Sequence, residues 1–487
     1  MSTHSYYMTG SKPRYLGLIL TLLALAQLIY SLDINIVFIA LPEIGKDLGF
    51  TQQTLQWVVS AYTIFCGGFM LLGGRAADLI GQKRMFVFAL TLFAVASMLG
   101  GLSWNTTVII IARAIQGIGG ALLFPATLSL INRIFEEGPS RNRALAVWGG
   151  AGASGLTLGS LFGGVLTNSF GWEAVFYVNV PLAGIVALIA LFIIPRDQPI
   201  NKERNIDLFG AITVTIGATL FVYVFVQGPE TGWSSASIIT CAILAVMLLI
   251  LFLFIEARSK DPLMPLRLFR NRNLVTGVII TFIFMGTFGA LPYFLTVLFQ
   301  NVHHYNAFQT GLAFLVPSVS IAAGTQLGAR LATRYKARIS MLIGFTIGMI
   351  GTALLPIGAN IDSHYMMIVP GLIISGIGQG IVWTNMWIVA SMGVIPEEQG
   401  VASGMASTTL NIGNAVGLAI LIAVANAGIH GQSGEQLLIA VASGQRIAFY
   451  LAAAGMIIGA LVTFVLLRKS QSSGQQMEIN DGSKLNQ

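Results

Sequence analysis

Asp33 stands inside an apolar run that extends from Tyr15 to Leu41, whereas the other acidic residues fall at the ends of such runs, in loops or in the tail. A carboxylate at that depth costs about 2.5–3.5 kcal/mol on insertion scales, so it requires a partner, water or a proton. Removal from water favours its neutral form and a neighbouring cation favours its charged form. Those opposing influences are what a proton-coupled switch needs. Arg113 also lies within an apolar run and is the candidate partner. If both segments are helical, Asp33 sits roughly 12 Å below Leu41 and Arg113 roughly 9 Å below Thr107, similar depths from the same side. Matching depth does not fix lateral distance, and backbone carbonyls near the glycines are the alternative partners for Arg113. Gln116, one turn further on, extends the polar group. Gln27, Tyr30 and Asn35 share the first run with Asp33, and Tyr293, Gln326, Trp383, Asn385, Asn411 and Asn414 occupy runs of the second half. These nine are candidate cavity-lining residues, and aromatic faces suit a lipophilic cation. Plain packing and interfacial anchoring are the alternative roles for each.

Other chemistries find no support. There is no glycine-rich phosphate loop ending in Lys-Ser/Thr, and Cys66 and Cys241 sit in apolar runs without metal-like spacing. His303 and His304 fall in a loop. The reading is of a non-enzyme without cofactor or metal.

The elements that must hold these residues are membrane spans. Of 487 residues, 55% are hydrophobic and 9% charged, against about 25% charged in a soluble domain. A span needs about 20 mainly apolar residues. That criterion predicts fourteen, near 15–41, 54–74, 85–103, 107–131, 143–166, 175–195, 207–227, 236–256, 274–299, 310–330, 339–358, 364–390, 400–428 and 446–468. With the first run read as a span and not a cleaved leader, the basic residues settle into alternate connections. Lys12, Arg14, Arg75, Lys83, Arg84, Arg133, Arg141, Arg143, Arg196, Lys202 and Arg204 fall on one side. So do Arg258, Lys260, Arg267, Arg270, Arg272, Arg330, Arg334, Lys336, Arg338, Arg468, Lys469 and Lys484, while Lys46 and Arg446 fall on the other. The net charge of +7 therefore sets topology and does not point to nucleic acid. The expectation is a multi-pass membrane protein with both termini cytoplasmic.

The chain divides into six spans (1–198), two further spans with their linkers (199–262), six more spans (263–469) and a polar tail (470–487) expected to be disordered. Gln116-Gly-Ile-Gly-Gly in the fourth span has a faint echo in Ser375-Gly-Ile-Gly-Gln-Gly, in the fourth span of the last six.

Gly74-Arg-Ala-Ala-Asp78-Leu-Ile-Gly81-Gln-Lys83-Arg84 resembles the signature loop of the major facilitator superfamily, although Leu79 stands where the family usually has a basic residue. Leu32 to Pro42, Gln56 to Tyr62, Arg113 to Gly120, Trp172 to Pro181 and Gly228 to Trp233 resemble segments of its fourteen-helix drug:proton antiporter branch. So does the glycine motif Gly155, Gly159, Gly163 and Gly164, with Ser160 replacing the proline that usually follows the second glycine. The resemblance implies an all-α fold of two six-helix halves plus two central helices, with a substrate site between the halves. It further implies a monomeric, lipid-embedded, proton-coupled exporter of hydrophobic, cationic, toxic small molecules in a bacterial inner membrane, with Asp78 acting on conformation. The alternatives are an exporter of one natural metabolite and a membrane sensor that does not transport.

Overall fold

The computed structural model describes residues 15–50, 55, 57–197, 207–259, 262, 264–361, 363–427 and 434–467. Gln56, Lys12, Arg14, Lys202, Arg204, Lys260, Arg468, Lys469, Lys484 and the tail 470–487 lie outside that set, as does the side chain of Ser160. Among the described residues the chain is helical and without strands. The first six spans are α1 (Leu16–Asp47), α2 (Trp57–Ile80), α3 (Gln82–Gly101), α4 (Thr106–Ile134), α5 (Pro139–Phe170) and α6 (Asn179–Ile193). The inserted pair is α7 (Leu208–Thr231) and α8 (Ala236–Arg258). Next comes α9 (Arg272–Thr287), whose apolar path continues through short turns to Val302.

The helix Leu315–Leu354 is 40 residues long but carries Lys336 at φ 69° and ψ 154°. That conformation breaks the helical path. Its enclosing apolar stretch, Phe308–Gly358, has 51 residues, about 76 Å of helix against a hydrocarbon core of about 30 Å. It therefore crosses twice, as α10 (315–335) and α11 (337–354). With α12 (Tyr365–Ser391), α13 (Gln399–Asn426) and α14 (Gly434–Leu466), the thirteen long apolar stretches among the described residues resolve into fourteen spans. The last span differs from its expected start: α14 begins at Gly434, so Arg446 lies well inside it. There Arg446 donates to Asn360 Oδ1 at 3.4 Å, and Gly444 lets α14 close on the Ala425 carbonyl.

The two echoing glycine segments have matching surroundings. Gly117 of α4 faces the Tyr62 carbonyl of α2, and Gly119 faces the Phe93 backbone of α3. Gly376 of α12 faces Ser320 and Pro317 of α10, and Gly378 faces Gly348 of α11. In each set of six, the fourth helix packs its glycines on the second and third. Small residues are what permit such backbone approach in lipid, where apolar contact alone does not drive helix association.

The two sets meet along α5 against α10 and α2 against α13. On the first seam, Asn142 Nδ2 donates to Thr333 Oγ1 at 3.2 Å and Thr157 Oγ1 bonds Ser318 Oγ. Helix α7 packs on α2 and α13, where Gly67 and Gly68 admit Val222 and Thr219. Helix α8 is exposed along most of its length, with Ile243, Met247, Ile250 and Phe254 uncovered, as a lipid-facing helix should be.

Candidate functional site

Five of the first six spans, α1 to α4 and α6, contribute groups around Asp33. Asp33 is fully buried in α1 and Arg113 is 1% exposed in α4. Arg113 Nη1 donates to Asp33 Oδ2 at 2.7 Å, and Arg113 Nε donates to the Val58 carbonyl of α2 at 2.9 Å. Gln116, one turn along α4, accepts from Arg113 Nη1 through Oε1 at 2.7 Å and donates from Nε2 to Asp33 Oδ1 at 2.7 Å. Its Nε2 also reaches Ser97 Oγ of α3 at 2.9 Å. Asn179 Nδ2, at the start of α6, donates to Asp33 Oδ1 at 2.8 Å. The guanidinium carbon lies 4.4 Å from the centre of the Tyr62 ring, a cation–π contact that is strong where water is excluded.

One carboxylate thus ties α1 to α4 and α6, and one guanidinium ties α4 to α2. Each charge is compensated by hydrogen bonds on several sides, the condition under which a buried pair is tolerated. Asn179, Ser97 and Tyr62 are members that sequence reasoning did not assign to the site. The available signal for Asn179 was a lone amide in the apolar stretch 174–193, two residues before Pro181.

The remaining predicted residues divide by position. Gln27 Nε2 donates to Ser31 Oγ at 3.3 Å, on the face of α1 beside Gly152 of α5. Tyr30 bonds Cys66 Sγ at 3.5 Å and leans on Phe124 with ring centres 5.3 Å apart. Asn35 Nδ2 donates to the Leu156 carbonyl of α5 at 2.9 Å. Gly155 and Gly159 face the α1 carbonyls of Leu28 and Leu32 so closely that a side chain would collide, and Gly163 sits tightly against Ile36. Gly164 faces open space and stands off that ladder.

In the later spans, Trp383 joins an aromatic group with Trp148 and Trp387. Asn385 is fully buried and donates to Ser340 Oγ of α11 at 2.8 Å, to the Ile381 carbonyl of its own helix at 2.8 Å and to the Gly328 carbonyl of α10 at 3.4 Å, within the packing of α12 on α10 and α11. Asn411 donates to Met70 Sδ of α2 at 3.2 Å, across the seam, and Asn414 is half-buried on the same helix. Tyr293 is 42% exposed. Gln326 is exposed on α10, on one face with Val319 and Arg330.

At the basic end, Asp78 crosses between the two sets of six. Its Oδ1 accepts the Gly400 amide at 3.0 Å and its Oδ2 accepts the Val401 amide at 2.9 Å. These are free N–H groups of the first turn of α13, where a carboxylate is favoured by both hydrogen bonding and the helix dipole. Gly74 is needed beside it, because a Cβ there would strike the Gly400 carbonyl. Gly81 adopts φ 110° before α3, a conformation open to glycine. Lys83 and Arg84 do more than hold a loop in place. Their backbone amides donate to Asp197, at 3.0 and 3.1 Å, and Lys83 Nζ donates to the Leu191 and Ile194 carbonyls at 2.7 Å each, closing the end of α6. Arg267 pairs with Glu398 at 2.5 Å, two residues before Gly400, the first of the amides that Asp78 binds.

The sequence profile described as Major Facilitator Superfamily matches residues 23–418. Puromycin resistance protein pur8 of Streptomyces alboniger is 33% identical over 471 residues, covering 94% of this chain and 92% of that protein. Cephamycin export protein CmcT of Amycolatopsis lactamdurans is 35% identical, covering 85% and 86%. Multidrug resistance protein Stp of Mycobacterium tuberculosis is 32% identical, covering 83% and 75%. Among solved structures, the proton:xylose symporter XylE aligns with a TM-score of 0.69 at 13% identity, covering 94% of this chain and 97% of that one. The human organic anion transporter MFSD10 aligns with a TM-score of 0.67 at 15% identity, covering 91% and 98%. Fourteen spans in two packed sets of six with an inserted pair, together with a profile match over most of the length, place this chain in the Major Facilitator Superfamily.

Proposed function

We propose that this protein exports lipophilic, drug-like small molecules across the membrane by alternating access, in exchange for protons. It is a multi-pass membrane transporter and not an enzyme. Relatives named for puromycin resistance, cephamycin export and multidrug resistance, at 32–35% identity, support drug efflux. The observation that carries proton exchange is the buried Asp33–Arg113 pair. Protonation of Asp33 would discharge the carboxylate that ties α1 to α4 and α6, while Arg113 would keep the Val58 carbonyl and Gln116. Helix packing around α1 would then depend on the proton. One proton falling through about 100 mV supplies about 2.3 kcal/mol, enough for a substrate gradient of about fiftyfold. The decisive measurement is drug-evoked proton movement in proteoliposomes holding the purified protein. Drug addition is expected to move protons against the drug flux, and drug flux that ignores an imposed pH gradient would remove proton coupling.

The same reading makes the basic end cytoplasmic, with both termini inside a bacterial inner membrane and the monomer as the working unit. A cysteine at Thr231, in a chain with Cys66 and Cys241 replaced by Ser, should react with an impermeant maleimide added outside intact cells. Reaction only after permeabilisation would invert the topology. CmcT, named for the export of one antibiotic, favours a second reading in which a single natural product is the cargo. A growth-inhibition panel separates the two, since protection against several unrelated compounds excludes a single cargo.

A further inference from the structure

Trp148 of α5 and Trp383 of α12 stack across the seam, with ring centres 5.9 Å apart and planes 15° apart. Trp387 stands edge-on to both, at 5.9 and 5.8 Å. Phe124 of α4 closes the group from the first set of helices, 5.1 Å from Trp148 and 5.6 Å from Trp387. Phe284 of α9 closes it from the other set, 5.5 Å from Trp383. Trp148 is fully buried and Trp387 is 3% exposed. The indole Nε1 atoms of all three tryptophans are buried and have no hydrogen-bond acceptor. Buried indole N–H groups usually find an acceptor, and an unmet buried donor is costly. Three such donors in one cluster, on the surface where two rigid halves part, point to a missing acceptor.

The same geometry bears on charge. Trp148 and Trp383 already press their faces together, and Asp33 spends both carboxylate oxygens on Arg113, Gln116 and Asn179. What the cluster holds in reserve is hydrogen-bond donors, and not negative charge. We infer that the three indoles form a recognition site for flat, uncharged aromatic compounds bearing acceptors such as carbonyl oxygens or ring nitrogens. Such a compound takes the place of one stacked ring as the seam opens and accepts from the freed N–H groups. This inference rests on the transport reading for its purpose and assigns the class of cargo.

The test uses the full chain in lipid nanodiscs, with a neutral coumarin dye as the acceptor-bearing probe and ethidium as the flat cation. Trp148→Phe, Trp383→Phe and Trp387→Phe keep an aromatic ring and remove one N–H each. Each should weaken coumarin binding by about fivefold, the usual effect of one neutral hydrogen bond, and change ethidium binding by less than about twofold. Gly149→Ala, whose Cβ would come 2.6 Å from Trp383 Nε1, is the second variant. It disturbs the cluster with every indole present and should also weaken coumarin. Unchanged coumarin binding in these variants, an equal or larger loss for ethidium, or no coumarin binding by the wild type would overturn the assignment. Coumarin export is scored separately in energised vesicles. Indole-dependent binding without export keeps the site and removes the transport reading, whereas export indifferent to all four substitutions keeps transport and removes the site.

Discussion

Asp33→Asn is expected to bring drug-evoked proton movement down to the level of empty vesicles while the protein still inserts. The change preserves the shape of the side chain but removes the titrating group. It also leaves Arg113 as a buried cation without its counter-charge, and breaking such a pair from one side costs about 3–5 kcal/mol. A loss of transport could therefore arise from a weakened fold. The double variant Asp33→Asn with Arg113→Gln separates the causes. It leaves neither charge, so its melting temperature in detergent should recover most of what either single change loses, and proton movement should stay absent. Arg113→Gln alone should resemble Asp33→Asn in stability, because it strands the carboxylate. Wild-type proton exchange by Asp33→Asn, read with a pH-sensitive dye in everted vesicles at equal expression, would sink the mechanism. Purely additive melting shifts in the double variant would show that the two charges do not depend on one another.

Asp78→Ala is expected to slow transport and leave drug affinity unchanged. The residue touches the first turn of α13 and no part of the aromatic seam. Losing a carboxylate that satisfies two first-turn amides costs about 0.5–2 kcal/mol as a helix cap. The loss falls only on the arrangement in which α2 and α13 are in contact. At about 1.4 kcal/mol per factor of ten, the population closed at the basic end should drop by between about twofold and thirtyfold relative to the open one. A cysteine at Ser403, buried on α13 one turn beyond that contact, should then react faster with a thiol reagent supplied from the basic side. Asp78→Asn keeps an acceptor oxygen and should fall between alanine and wild type. Identical labelling rates and identical transport in Asp78→Ala would mean that this contact does not govern the opening.

Much of this protein was legible in one dimension because lipid imposes a one-dimensional rule. Each span must be apolar for about 20 residues and must satisfy its own backbone, so fourteen runs could be located and the basic residues assigned to one end. The same rule singled out Asp33 and Arg113, since charge in such a run is costly enough to stand out. Helical rise even matched their depths. Lateral neighbours were another matter. Asp33 and Asn179 are 146 residues apart and Asp78 and Gly400 are 322 apart, and nothing in an apolar run states which helix lies beside which. Trp383 read as a candidate cavity-lining residue, and nothing in the sequence joined it to Trp148 or Trp387. Only the crossing of α5 and α12 brought them together, buried, with their N–H groups unmet. Depth, charge and topology follow from the cost of moving each residue into hydrocarbon, which belongs to the residue itself. Pairing across the halves follows from which glycines let which helices touch, and that belongs to the packed whole.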